Sequence, residues 1–221
     1  MTSAPERLCA VVLAAGEGRR LRPVTLHTPK PLLKVGGVSL LDRTFARLAA
    51  LGFAGPDLVA VNACHLADQI VAAVGDRARL SVEDPPPLGT SGGVARLKDW
   101  IGGRDVLVCN ADAYLDGGAE PYRRLLDGWD RREVRLLGVV APEEPHLFSG
   151  HAFAGASLLP WNLVKDLAPE PSELVRTVWR PAERNGALRP VTHDGVFIDC
   201  GTPQRLAAAD RHAASIEGAK L

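Results

Sequence analysis

Residues 8–13, Leu-Cys-Ala-Val-Val-Leu, carry no polar side chain at any position. Successive side chains of a strand point to opposite faces of its sheet, so such a run needs apolar cover on both sides. Leu58 to Asn62 and Asp105 to Cys109 read the same way apart from one polar end each. Between them lie helix-length stretches. Leu40 to Leu51 places Leu41, Phe45, Leu48 and Leu51 three or four apart, and His65 to Val74 is stopped by Gly75. This alternation predicts an α/β fold: a three-layer α/β/α sandwich around a mostly parallel, Rossmann-like sheet.

The remaining pattern extends that reading. Arg79 to Glu83 predicts a strand, and Pro85, Pro86 and Pro87 a stiff loop. Ser91 is placed to cap a helix running through Trp100 to Gly102 and Gly103. A helix over about Ala119 to Arg131 and a strand over Val134 to Val140 follow, with the Arg131-Arg132 pair at a solvated helix end. Beyond residue 141 the pieces shorten. We expect a strand at His151 to Leu159, helical stretches at Trp161 to Leu167 and Ser172 to Glu183, and a hairpin-like pair flanking Asp194-Gly195. A last helix should run from Pro203 through His212, fraying beyond Ala214. No repeat or low-complexity linker divides the chain, so one domain over 1–221 is expected.

The 26 Lys and Arg balance 26 Asp and Glu, which leaves none of the basic surplus that nucleic acid or an anionic membrane surface selects. No apolar run reaches transmembrane length. Arginines cluster after the Leu8 to Ala15 run, at Arg19, Arg20 and Arg22, with Arg7 alone before it, the reverse of a signal peptide's charge order. Cys9, Cys64, Cys109 and Cys200 are widely spaced and read as reduced, buried thiols of a cytoplasmic protein. Trp100, Trp129, Trp161 and Trp179 read as packing residues. His27 reads as an exposed loop residue, and His146, His151, His193 and His212 lack metal-ligand spacing.

The most informative stretch is Leu13 to Lys30, directly after the first strand, at the sheet edge where open α/β folds bind ligands. Gly16 and Gly18 let backbone N–H groups approach a phosphate, and Arg19, Arg20, Arg22 and Lys30 supply charge. It is not a Walker A loop, because Arg19 and Arg20 follow Gly18. It is not a GxGxxG fingerprint either, because Leu21 occupies the third glycine position. Asp112 follows the strand Asp105 to Cys109 at the same edge, and Asp199 ends the apolar run Val196 to Ile198. Each alone reads as a helix cap or turn aspartate; together, beside a polyphosphate, they suit Mg²⁺.

Gly16-x-Gly18-x-Arg20-Leu21-x-Pro23-x-Thr25-x-x-x-Pro29-Lys30 resembles the signature of sugar-1-phosphate nucleotidylyltransferases. Pro87 to Gly93, Asn110-Ala111-Asp112, Phe153-Ala154-Gly155 and Phe197 to Thr202 match in the same order. The short length and Thr25 to Leu32 look most like N-acetylmuramate-1-phosphate uridylyltransferases. The Leu88 to Gly92 loop also resembles guanylyl- and thymidylyltransferases. The resemblance implies a nucleotide-diphospho-sugar transferase fold, with residues 1–115 binding the nucleotide and 116–221 the sugar phosphate. It implies transfer of an NMP from UTP, GTP or dTTP to a sugar-1-phosphate.

By resemblance, Arg20, Lys30 and Asp112 are catalytic, and Asp112 and Asp199 hold the Mg²⁺. Leu13, Ala14, Ala15, Gly16, Gly18 and Arg19 surround the nucleotide, with Asn62, Gly89, Thr90 and Ser91 on its base side. Gly93, Asn110, Gly155 and Asp199 surround the sugar phosphate. Asn62 reads equally as a turn residue, and Ser91 equally as a cap. Arg22 and Lys34 read as surface charge. The rival segment Phe148-Ser149-Gly150 is set aside because Ala156 to Leu159 continues from Gly155 into a strand. Ala111 replaces the family's usual glycine, and a methyl there bears on the sugar's space. The sugar-phosphate lysine of many relatives has no counterpart, since no lysine lies between Lys98 and Lys165. A cytidylyltransferase for a non-sugar phosphate such as phosphocholine, and a non-catalytic nucleotide-sugar sensor, stand as rivals. The base, the acceptor and the oligomeric state are left open.

Overall fold

The computed structural model describes residues 7–140 and 147–218. His146 lies outside them. The chain runs β1 (Leu8–Leu13), three short 3-10 turns, β2 (Lys34–Val35), β3 (Val38–Ser39), α1 (Leu40–Ala49), β4 (Val59–Ala63), α2 (Ala67–Val74) and β5 (Arg79–Val82). It continues through α3 (Gly89–Ala95), α4 (Lys98–Ile101), β6 (Asp105–Asn110), β7 (Ala113–Leu115), α5 (Glu120–Leu126), β8 (Val134–Val140) and β9 (His151–Leu159). The last elements are α6 (Trp161–Val164), α7 (Arg180–Arg184), β10 (Leu188–Thr192), β11 (Phe197–Asp199) and α8 (Pro203–Gly218).

Seven strands form the central sheet in the order β10-β8-β9-β6-β1-β4-β5. All run parallel except β9, which opposes both neighbours. The apolar run of β1 lies in the middle, and its alternation divides the interior. Ala10 and Val12 of β1 join Leu41, Leu48, Ile70 and Leu125 on one face. Cys9 and Val11 join Val94, Ile101, Val164 and Trp179 on the other. A third cluster, with Val35, Leu40, Tyr114, Cys200 and Ala209, lies where α8 packs on β2 and β11. All four cysteines are free and buried, and burial pushes the Cys9 and Cys109 thiols up to about 12. No helix of the described residues is long and apolar enough to cross a membrane.

Several expectations are corrected. The helix after the proline loop breaks into α3 and α4. Ser91 is its third residue rather than its cap, and the flanking Leu88 makes no side-chain cap. Helix α5 ends at Leu126, before Gly128 with φ +59°. Residues 172 and 173 are not helical, and a π turn over Val175–Trp179 precedes α7. The pair around Asp194-Gly195 is no hairpin: β10 extends the large sheet beside β8, whereas β11 pairs with β7. Helix α8 persists to Gly218.

Arg131 is not a solvated helix end. Its Nε donates to the carboxylate of Asp105, which is 2% exposed at the start of β6 and also accepts from the Trp161 backbone N–H at 2.8 Å. Removing the guanidinium strands a buried carboxylate, an effect of about 3 kcal/mol. Arg131→Ala should therefore lower denaturant-measured stability by about that amount. Arg132→Ala, lacking such a partner, should stay within about 0.5 kcal/mol of the parent.

Candidate functional site

Strands β1, β4 and β6 end in register, with Leu13 opposite both Asn62 and Asn110. Above them opens a cleft of about 430 Å³, a volume suited to a small-molecule ligand. Leu13, Ala14, Ala15, Gly16, Gly18, Arg19, Arg20, Lys30, Asn62, Gly89, Thr90, Asn110 and Asp112 all line it, as expected. Pro31, Pro87, Glu173 and Gly201 line it as well. The loop after β1 is shaped by Gly18, whose φ of +61° favours glycine and whose carbonyl accepts from Thr25 Oγ1 at 2.9 Å. A Cβ there would meet Thr25 Cγ2 at 2.9 Å, whereas one on Gly16 would meet nothing within 4 Å. Glu17 holds Arg19 at 2.7 Å and Arg22 at 3.2 Å, so both guanidiniums are paired on the loop's surface.

The charged heart of the cleft is Lys30. Its Nζ donates to Asp112 Oδ2 at 2.9 Å and Asp199 Oδ1 at 3.1 Å, and the residue is only 5% exposed. The two carboxylates meet because β7 and β11 pair antiparallel with Asp199 opposite Ala113, the residue after Asp112. Arg20 donates to Asp199 Oδ2 at 3.2 Å, and Arg205, on the first turn of α8, lies 3.5 Å from the same oxygen. Gly201 leaves room for this: a Cβ there would lie 2.4 Å from an Arg20 guanidinium nitrogen. Burial by itself would lower the Lys30 ammonium, but Asp112 and Asp199 outweigh it and hold its pKa above the ordinary value. Burial by itself would raise the Asp199 carboxyl, but Lys30 and then Arg20 hold it below.

The other wall is built by backbone zippering. Asn62 is 1% exposed; its Oδ1 accepts from the Ala14 N–H and its Nδ2 donates to Glu83, each bond close to 2.8 Å. Glu83 also accepts from the Leu88 N–H at 2.8 Å, so Asn62 ties the glycine loop to the start of α3 and is no turn residue. The Ser91 N–H donates to the Ser172 carbonyl, and the Ser172 N–H to that of Leu88, both at 3.0 Å. Glu173 Oε2 accepts from Thr90 Oγ1 at 2.6 Å and from the Thr90 N–H at 3.2 Å.

Four expected residues are not part of the cleft lining, and of these Asp199 alone bonds to lining side chains, those of Lys30 and Arg20. Ser91 is buried, its Oγ accepting from Thr177 Oγ1 at 3.0 Å. Gly93 packs under Asn62, where a Cβ would lie 2.5 Å from Nδ2. Gly155, at φ +82° in β9, faces the Phe197 ring. Ala111 is fully buried in the core and does not line the cleft. Glu173 carried no sequence signal, because the segment read as helix. Glycines at 89 and 92 were the available clue, since a Cβ on Gly92 would lie 2.3 Å from the Glu170 carbonyl oxygen.

Asp112 and Asp199 are the residues that could hold a metal. Their oxygens converge on one point, and hard carboxylate donors suit a divalent cation that completes its shell with phosphate and water oxygens. No cluster of three or more potential ligands joins them among the described residues. The ion cluster has a pH signature. Lys30, raised above its ordinary 10.5, stabilises the fold below that value and loses the contribution as pH climbs through the raised one. Asp199, lowered beneath its ordinary 3.8, stabilises above that value and loses the contribution as pH falls through the lowered one. The stability gap between the parent and Lys30→Met should be flat between those limits and shrink beyond each, as read by melts across pH.

Comparison with known proteins gives the family of the chain. The chain is 40% identical to an N-acetylmuramate alpha-1-phosphate uridylyltransferase of Neisseria meningitidis serogroup B over 113 residues, 48% of each chain. That match spans about half of the relative's length. A second uridylyltransferase of the same name, from Caulobacter vibrioides, is 26% identical over 97% of this chain and 99% of that protein. A Bacillus anthracis structure described as a glucose-1-phosphate thymidylyltransferase superposes with a TM-score of 0.74 at 19% identity, covering 93% of this chain and 95% of the other. That likeness speaks to fold. The family model for the MobA-like NTP transferase domain matches residues 10–196, and the chain belongs to that family of nucleotidyltransferases.

Proposed function

We propose that this chain transfers a nucleoside monophosphate from an NTP to a sugar-1-phosphate, releasing pyrophosphate and forming an NDP-sugar. The observation that carries the reading is the cluster of Arg20, Lys30, Asp112 and Asp199 beside a glycine loop at the carboxyl edge of the sheet. The names of the uridylyltransferase relatives support the same acceptor class.

An oxygen of the sugar phosphate attacks the α-phosphorus in line, and pyrophosphate departs from the opposite side. Such a reaction needs positioning and charge neutralisation rather than a protein nucleophile. The nearby thiol fits that requirement: Cys200 is buried and pushed up to about 11, a poor nucleophile. Backbone N–H groups around Gly16 and Gly18 would cradle the triphosphate, with Lys30 and Arg20 offsetting charge on its oxygens. Asn62 holds the loop that carries these groups by its bond to Ala14. A Mg²⁺ held by Asp112 and Asp199 would neutralise phosphate oxygens and favour departure of pyrophosphate. We place the reaction in the cytoplasm, in keeping with four free cysteines.

The test is a matrix of NTPs against sugar-1-phosphates, read by pyrophosphate release. Turnover confined to CTP with phosphocholine would overturn the acceptor class. Nucleotide-sugar binding without release anywhere would make the chain a sensor. Arg20 has a 66% exposed side chain, so its removal should spare the fold. Arg20→Ala should lower turnover by about 100- to 1000-fold with little change in Tm. Asp112→Asn and Asp199→Asn should each abolish Mg²⁺-dependent release; retained activity per folded molecule would reduce both carboxylates to structural roles.

A further inference from the structure

We infer that Glu173 reads the edge of the nucleobase and makes guanine the base this chain selects; the inference rests on the nucleotidyl-transfer reading above. Glu173 is a carboxylate on the wall of the cleft, and no ion pair engages it among the described residues. A triphosphate would be repelled from such a wall. Of the cations that line the cleft, Arg19 is paired with Glu17, and Arg20 and Lys30 would hold the phosphate end, which leaves Glu173 to the uncharged nucleoside.

Its orientation is fixed. Oε2 accepts from Thr90 Oγ1 at 2.6 Å and from the Thr90 N–H at 3.2 Å, while the Leu174 N–H donates to Thr90 Oγ1 at 2.8 Å. The paired bonds between Ser172 and residues 88 and 91 lock the segment to the loop. Oε1 receives no hydrogen bond among the described residues and lies over Gly89, 2.7 Å from where a Cβ would stand. Glycine at 89 thus keeps the approach to that oxygen open.

An ionised carboxylate only accepts hydrogen bonds. Guanine presents two adjacent donors, N1–H and the N2 amino group. Uracil and thymine present a single N3–H flanked by carbonyl oxygens that a carboxylate repels. Cytosine and adenine set one amino group beside a lone pair. The match with guanine combines attraction for one base with repulsion of the others, which is how specificity is built.

The experiment is calorimetric titration of the parent and Glu173→Gln with GTP, ITP, UTP, dTTP and CTP, with pyrophosphate release measured on the same samples. In the variant the amide oxygen can keep the Thr90 bonds, which turns an NH₂ donor toward the cleft. The parent should bind GTP about tenfold or more tighter than UTP, equivalent to about 1.4 kcal/mol. ITP, lacking the N2 amino group, should fall between them. Glu173→Gln should weaken GTP by about tenfold while leaving UTP within about threefold. A parent that prefers UTP or dTTP overturns the inference. Equal weakening of all five nucleotides overturns it too, because that places the carboxylate on the ribose. An unchanged Tm shows that the variant folds; if it does not fold, the parent's GTP, ITP and UTP affinities decide. Guanine-selective binding without release from any sugar-1-phosphate would sustain the base assignment while overturning the transfer reading.

Discussion

Lys30 is 5% exposed, and an ammonium so far from water must be paired or give up its proton. It is paired twice, with carboxylates from two distant parts of the chain, Asp112 and Asp199. The large sheet places Asp112, which follows β6, but not Asp199. The two-stranded ribbon of β7 and β11 brings them together, and α8 packs over that ribbon through the third core cluster. The geometry of the charged site is therefore a consequence of packing some distance from it. Two carboxylates this close would repel each other without the ammonium, so Lys30 is a condition of the ribbon's register as well as a cation in the cleft.

The opposite wall depends on a different constraint, the close approach of two backbones. Residues 88–93 and 170–174 exchange backbone hydrogen bonds at a separation that Gly89 and Gly92 alone permit, since a Cβ on either would press into carbonyl oxygens. Gly93 leaves room in the same way for Asn62, whose side chain is spent on Ala14 and Glu83. Small residues here act as spacers, and polar side chains as struts that position backbone N–H groups. Much of what a nucleotide would meet on this wall is main chain.

The parallel sheet was legible because its evidence is local: apolar runs and helical spacing read directly onto strands and helices. The glycine loop with Arg20 and Lys30 was legible because its signature is contiguous, and Asp112 because its short motif, like that loop, follows the carboxyl end of a strand. What escaped was non-local. Nothing in Asp194-Gly195 tells that the strands on either side go to different sheets, because the choice is made by partners β8 and β7. Arg131 looked solvated because its partner Asp105 lies 26 residues away. Glu173 was hidden because the Ser172 to Glu183 stretch favours helix locally, whereas the backbone of Ser172 bonds to Leu88 and Ser91 and the helix starts only after Glu173. Ser91 and Gly93 share a contiguous motif with the cleft residues Gly89 and Thr90 yet do not line the cleft, so a motif fixes a neighbourhood more firmly than it fixes a contact.

The cations of the site differ in how freely they can change partners. Arg20 and Arg205 share one oxygen of Asp199, and their side chains are 66% and 52% exposed. Exposed pairs of this kind contribute little, so exchanging Asp199 for a phosphate oxygen costs each arginine little. Lys30 has no such freedom, being buried and bonded to both carboxylates. Charge that must stay put to hold the protein together is thereby separated from charge that can follow a substrate. A divalent cation on Asp112 and Asp199 would itself balance those carboxylates, and the two arginines would be the groups it releases toward phosphate.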